Sequence, residues 1–146
     1  SSPEVQQILQ ERFGKDTLLA LATIDGEWPS VRTVNSWYDS GAFYIITHAK
    51  SRKVRQLAHN PRAAICGDWF TAHGMGENLG PLSASENAIL RDTLRKVFAA
   101  WYDNGHIDEK DPNTCILRIR LTDGILFHHG TRYDLDFTCS TKGFLL

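Results

Sequence analysis

The apolar positions of the chain alternate between two spacings. Val5, Ile8, Leu9 and Phe13 recur every three to four residues, the period of an amphipathic helix. Ser2-Pro3 supplies a cap and a first-turn proline, and Gly14 a stop. Thr17–Thr23 (TLLALAT) then reads as a buried strand, Asp25-Gly26 as a hairpin turn, and Pro29–Tyr38 as a second strand. After the turn Asp39-Ser40-Gly41, Ala42–His48 (AFYIITH) forms a third strand. A short helix starts at Ser51, places Val54, Leu57 and Ala58 on one face, and stops before Pro61. Arg62–Phe70 returns to strand, and a glycine-bearing loop is expected from His73 to Pro81.

The longest helix is expected next. Ser83 and Glu86 have the spacing of a capping box, and Leu90, Leu94, Val97, Phe98 and Trp101 make an apolar stripe that Asn104-Gly105 can end. Thr114–Thr122 alternates with period two, with Cys115, Leu117, Ile119 and Leu121 on one face and Arg118 and Arg120 on the other. That is the pattern of a half-solvated antiparallel strand. Asp123-Gly124 reads as a turn into Ile125–His129, and a last strand runs toward Phe137. Strands joined by hairpins, with helices at a few connections, predict an antiparallel barrel or α+β domain rather than a doubly wound sheet. With 146 residues and no linker or repeat, residues 1–146 are expected to form one domain.

Charge narrows the partners. Sixteen Lys and Arg against seventeen Asp and Glu leave a formal net charge of −1, so no global basic field exists to hold nucleic acid and any anion site must be local. No apolar run approaches the ~20 residues of a membrane span. The start, Ser1-Ser2-Pro3-Glu4, does not read as a signal peptide. Cys66, Cys115 and Cys139 are odd in number and form no CxxC pair, which fits a reducing cytoplasm better than a disulfide framework or a zinc site. His128 and His129, adjacent on an expected strand, should face opposite ways and cannot both ligate one metal without distortion. No GxSxG occurs, and Gly74-x-Gly76 lacks the spacing of a dinucleotide fingerprint.

Three segments carry candidate chemistry. In Thr47–Arg55 (THAKSRKVR) a strand gives way to a helix whose first turn holds Arg52 and Lys53. Helix N-termini are already positive, so cations there are mildly unfavourable unless an anion sits among them. Free backbone N–H groups, the Ser51 hydroxyl and the two cations would make a phosphate site; a solvated basic surface is the other reading. In Ser30–Asn35 (SVRTVN), Arg32 can pair with a phosphate or ring carbonyl, and Thr33 and Asn35 offer side-chain hydrogen bonds; an ordinary strand with outward polar residues fits equally. In Gly67–Gly80, Trp69, Phe70, Thr71 and His73 crowd together ahead of three glycines, either to cover a planar ligand or as a core aromatic before a turn.

Read together, LALATIDGEWPSVRTV, AFYIITHAKSRKVRQLAHNPRAAI and DWFTAHGMGENLG before a long helix resemble the FMN-binding split-barrel family related to pyridoxamine 5′-phosphate oxidase. The resemblance spans about residues 5 to 137. It implies a mainly β fold with α, an antiparallel split β-barrel with flanking helices. It also implies FMN held between two subunits of a homodimer. Ser51, Arg52 and Lys53 match the positions that hold the FMN phosphate. Arg32, Thr33, Val34 and Asn35 match the strand against the isoalloxazine and ribityl chain, and Ile46 and Thr47 the next strand. Trp69 and Thr71 are the candidates contributed by the partner chain.

The resemblance implies an FMN-dependent oxidoreductase acting on a small molecule, with His48 and His73 as acid–base candidates. A non-enzymatic flavin-binding or redox-sensing protein is the second class. A haem or deazaflavin protein on the same barrel is the third, with His128 or His129 as axial candidates. Oxidases of pyridoxamine 5′-phosphate carry a basic Arg/His motif near their end. Here TRYDLDFTCSTKGFLL offers Arg132 and Lys142 offset by Asp134 and Asp136, so that substrate is not expected.

Overall fold

The structure is a computed structural model that describes residues 2–138. Helix α1 (Pro3–Phe13) is capped by Ser2, whose hydroxyl accepts from the Val5 N–H, and buries Val5, Ile8, Leu9 and Phe13. Strands β1 (Thr17–Asp25), β2 (Trp28–Asp39) and β3 (Ala42–His48) follow as an antiparallel meander. Helix α2 (Arg52–His59) leads to β4 (Arg62–Gly67), β5 (Phe70–Pro81) and, after the helical segment, β6 (Thr114–His128) and β7 (Thr131–Asp136). The sheet order is β3-β2-β1-β4-β5-β6-β7, and β3 also pairs with β6. That last pairing closes six strands into an antiparallel barrel, which leaves no open edge between them. The mainly β, split-barrel expectation is met.

Two cores form. Inside the barrel, Leu19, Leu21, Phe43, Ile45, Ile65, Phe70, Leu117 and Ile119 pack with Phe13 of α1. Outside it, Leu82, Leu94, Phe98 and Tyr102 cover Ile116. This is why both faces of β6 are apolar at its start, while Arg118 and Arg120 still point away from the barrel.

Six sequence expectations need correction. The glycine-bearing stretch from His73 is not a loop but most of β5. Its glycines serve close approach: a Cβ on Gly74 would lie 2.8 Å from the Arg120 carbonyl oxygen, and one on Gly76 2.9 Å from Leu57. The strand expected to end at Phe70 stops at Gly67, and Trp69 turns the chain with φ 54. Asp123-Gly124 makes no turn. The register steps from His73↔Asp123 to Gly74↔Leu121, so Thr122 is a bulge and β6 runs through.

The long helix is broken. A 3₁₀ turn (Ser85–Asn87), α3 (Ala88–Val97), α4 (Ala99–Trp101) and a wide turn (Tyr102–His106) replace it, with Phe98 and Gly105 off helical geometry. No capping box forms; instead Asn87 Nδ2 donates to the Leu79 and Pro81 carbonyls. The bend at Phe98 lets Trp101 Nε1 donate to Asp16 (2.8 Å) and the Tyr102 hydroxyl to Glu109 (2.6 Å). His128 and His129 do not face apart. His129 has φ 49 in the β6–β7 turn, which brings the two rings to 4.0 Å between centroids. Cys139 and Lys142 lie outside the described residues.

Candidate functional site

The α2 start is where the sequence concentrated its cations, and the fold makes it concave. Strand β3 ends at His48, and the Ser51 N–H donates back to the His48 carbonyl (2.9 Å), so the chain reverses before the helix. Ser51 is the N-cap with extended backbone, yet its side chain makes no capping bond. Its Oγ is buried and has no hydrogen-bond partner. The first turn of α2 holds no acidic residue, and the first N–H groups of a helix lack intrahelical acceptors. A buried hydroxyl without a partner costs about 1–3 kcal/mol, a cost that a polar group placed here would offset.

Lys53 rises beside this point. Its Nζ donates to Thr47 Oγ1 (2.9 Å), and burial, then the nearby Arg32 charge, hold its pKa below the ordinary lysine value. Cys115, paired with Thr47 across the β3–β6 ladder, lies close enough to feel Lys53, although burial raises its thiol pKa. Arg32 sits on the inward side of β2. Its guanidinium donates to Thr23 Oγ1 (2.7 Å), Gln56 Oε1 (3.0 Å) and the Leu21 carbonyl (3.3 Å), with desolvation lowering its pKa. Neither cation has a carboxylate partner among the described residues.

A cleft of about 680 Å³ opens from Lys53 along the outside of β2 and β3. It brings together Thr33, Val34, Asn35, Ile46, Thr47 and Lys53, six of the residues singled out from sequence. The opposite wall is Trp101, Asn104, His106 and Ile107 from the bent helical segment. Sequence periodicity gave no sign of this wall, because it placed Trp101 in the buried stripe of one unbroken helix and Asn104 in the cap that ends it. Asp16 joins the walls: its carboxylate accepts from Asn35 Nδ2 (3.0 Å) and from Trp101 Nε1. His48 stands at the cleft end, 3.7 Å from Asp111.

The remaining candidates lie elsewhere on the chain. Arg52 faces a second hollow with Arg55 and His59. Thr71 and His73 are on the outer face of β5, where His73 Nδ1 is 3.0 Å from Asp123. Trp69 is exposed at the β4–β5 turn, edge-on to Phe127. Arg132 is paired with Asp134 through Nε (3.2 Å) and Nη2 (3.0 Å).

A closed six-stranded antiparallel barrel with flanking helices defines the split-barrel fold class. The family profile described as pyridoxamine 5′-phosphate oxidase matches residues 2–127, and the chain belongs to that family. A pyridoxine/pyridoxamine 5′-phosphate oxidase from Alkalilimnicola ehrlichii is 47% identical over 55 residues, 36% of this chain and 28% of that protein. The match thus spans less than a third of that relative's length. Among solved structures, a heme binding protein from Mycobacterium smegmatis aligns with a TM-score of 0.68 at 19% identity, over 93% of this chain and 59% of that one. A FAD-binding protein from Mesorhizobium loti aligns at 0.64 and 16% identity, over 85% and 92%. At those identities the likeness is one of fold.

Proposed function

We propose that this chain binds FMN in the cleft beside α2, one site per protomer of a homodimer, and acts as an FMN-dependent oxidoreductase on a small molecule. The observation that carries the reading is the buried, partnerless Ser51 hydroxyl at a helix start that also presents Arg52 and Lys53. Two cations, a hydroxyl and helix N–H groups fit a phosphate dianion. The donor set along the cleft fits the rest of a flavin nucleotide. Thr33, Asn35 and Thr47 offer polar side-chain groups, while Val34, Ile46 and Trp101 offer apolar surface.

In this reading Ser51 and Lys53 hold the phosphate, Arg52 turns to it from the second hollow, and Arg32 keeps the β1–β2–α2 junction positive from within. Asp16 fixes the Asn35 amide, so that its carbonyl oxygen is the atom left to accept a hydrogen bond. The bound flavin would supply hydride or electron transfer. His48 and His106 at the cleft are positioned to exchange a proton with a substrate. Family membership supports the flavin reading, and the heme- and FAD-binding neighbours show that the barrel hosts more than one cofactor.

Pyridoxamine 5′-phosphate is not the substrate in this proposal. Arg132, the cation beyond the barrel offered for a second phosphate, is already bonded to Asp134. One preparation tests both parts. Protein reconstituted with FMN and desalted should retain flavin absorption bands, with pyridoxal phosphate formation well below ~1 s⁻¹, the low end of ordinary turnover. A Soret band with no flavin retained would refute the cofactor, and turnover at or above that rate would refute the substrate restriction.

A further inference from the structure

One carboxylate ties the two walls of the cleft together. Asp16 lies half-buried between α1 and β1. Its Oδ1 accepts from Asn35 Nδ2 (3.0 Å) on β2, and its Oδ2 accepts from Trp101 Nε1 (2.8 Å) on the bent segment. No cation pairs with it among the described residues. Both of its oxygens therefore serve side chains that line the cleft. An ionised carboxylate only accepts hydrogen bonds, and an indole N–H only donates. Asp16 thus sets the polarity of both neighbours. Trp101 commits its N–H to this bond and has only carbon surface left to offer a ligand. Asn35 has its amide nitrogen held at Asp16, while its Oδ1 makes no hydrogen bond among the described residues.

Resting on the flavin reading above, we infer that Asp16 determines the specificity of the cleft: through Asn35 it selects a planar ring that brings an N–H donor. The oxidised isoalloxazine of a flavin carries a single ring N–H, on the imide between two carbonyls. That N–H is the group the Asn35 oxygen accepts from. A ring alkylated at this nitrogen, or one that brings an acceptor there, leaves the Asn35 oxygen unpaired and is disfavoured. Asp16 acts at one remove, as a positioning residue, and Asn35 and Trp101 meet the ring. An amide of the same size cannot replace the carboxylate, because its nitrogen must face one of the two donors. Facing Asn35, it turns that amide over and points N–H groups at the ligand. Facing Trp101, it sets donor against donor and releases the wall.

The test is a fluorescence titration of flavin-free protein with FMN and with FMN methylated at the imide nitrogen. Three proteins are compared: wild type, Asp16→Asn, and Asp16→Asn combined with Asn35→Asp. Wild type should prefer FMN at least ~10-fold, the order expected when a hydrogen bond gives way to an unpaired acceptor. Asp16→Asn should erase most of that preference. The double variant exchanges carboxylate and amide at constant net charge, so an acceptor again faces the ring and Trp101 keeps a carbonyl partner; the preference should return. A merely structural role for Asp16 would not make the preference vanish and then reappear. Equal wild-type affinity for the two ligands, a preference that survives Asp16→Asn, or no recovery in the double variant would overturn this inference and leave the FMN site standing. Failure of wild type to bind FMN would overturn both.

Discussion

Lys53 carries the sharpest consequence of a single side chain. Burial and Arg32 lower its pKa in the free protein, and a phosphate dianion beside it would raise that pKa again. Binding is then linked to protonation of Lys53. FMN affinity is full while free Lys53 is charged, and it falls as pH rises through the lowered pKa into the ordinary lysine range. Riboflavin, lacking the phosphate, should show no such fall. Titrations between neutrality and alkaline pH check this, and Lys53→Ala should flatten the FMN profile; a flat wild-type profile would detach Lys53 from the phosphate. Residue identity singled out Ser51, Arg52 and Lys53 as candidates from sequence, because cations at a helix start conflict with the dipole unless an anion joins them; the fold turns Lys53 to the cleft and Arg52 to the second hollow. Asp16 was not legible. Its role depends on Asn35 and Trp101 meeting from positions 19 and 85 residues away, and no local pattern encodes such a meeting.

At the scale of elements, hydrophobic period predicted strands β1 to β3 and helices α1 and α2 well, since each is bounded by its own turn chemistry. It failed where glycine was ambiguous. A glycine in a loop and one in a crowded strand look alike in sequence. In β5 and β6 the second meaning holds: Gly74 meets the Arg120 carbonyl, and a Cβ on Gly124 would lie 2.5 Å from the Thr71 carbonyl oxygen. Backbone cannot swing aside as a side-chain tip can. Gly74→Ala should therefore destabilise the fold by about 1–3 kcal/mol, the range for overpacking, read as a lowered denaturant midpoint with unchanged slope. A loss under ~0.5 kcal/mol, typical of a tolerant surface site, would restore the loop reading. The broken helix was missed for a related reason. Its apolar stripe is continuous in sequence, but Phe98, Trp101 and Tyr102 bury against a curved barrel wall, which a straight helix does not follow.

For the whole molecule, the outer face of β2-β1-β4-β5 matters most. Its rows run Thr33–Ala20–Cys66–Thr71 and Val31–Ala22–Ala64–His73. They are built of small residues, with Leu18 63% and Val31 69% exposed at one side. Such an exposed, largely apolar face suits a second copy, and it adjoins the cleft at Leu18 and Thr33. Trp69 and Thr71 lie away from this chain's own cleft. Light scattering should give twice the 16.5 kDa chain mass, and Val31→Asp should shift it toward monomer and weaken FMN binding together. A wild-type monomer that still binds FMN tightly would refute the shared site.

The central claim is that the α2 start holds a flavin phosphate, and a paired titration reaches it most directly. Charge-assisted hydrogen bonds contribute about 1.5–3 kcal/mol each. Replacing Arg52 and Lys53 together by Ala should therefore weaken FMN binding at least ~100-fold while riboflavin affinity changes little. Equal losses for the two ligands, or no loss for FMN, would contradict the account.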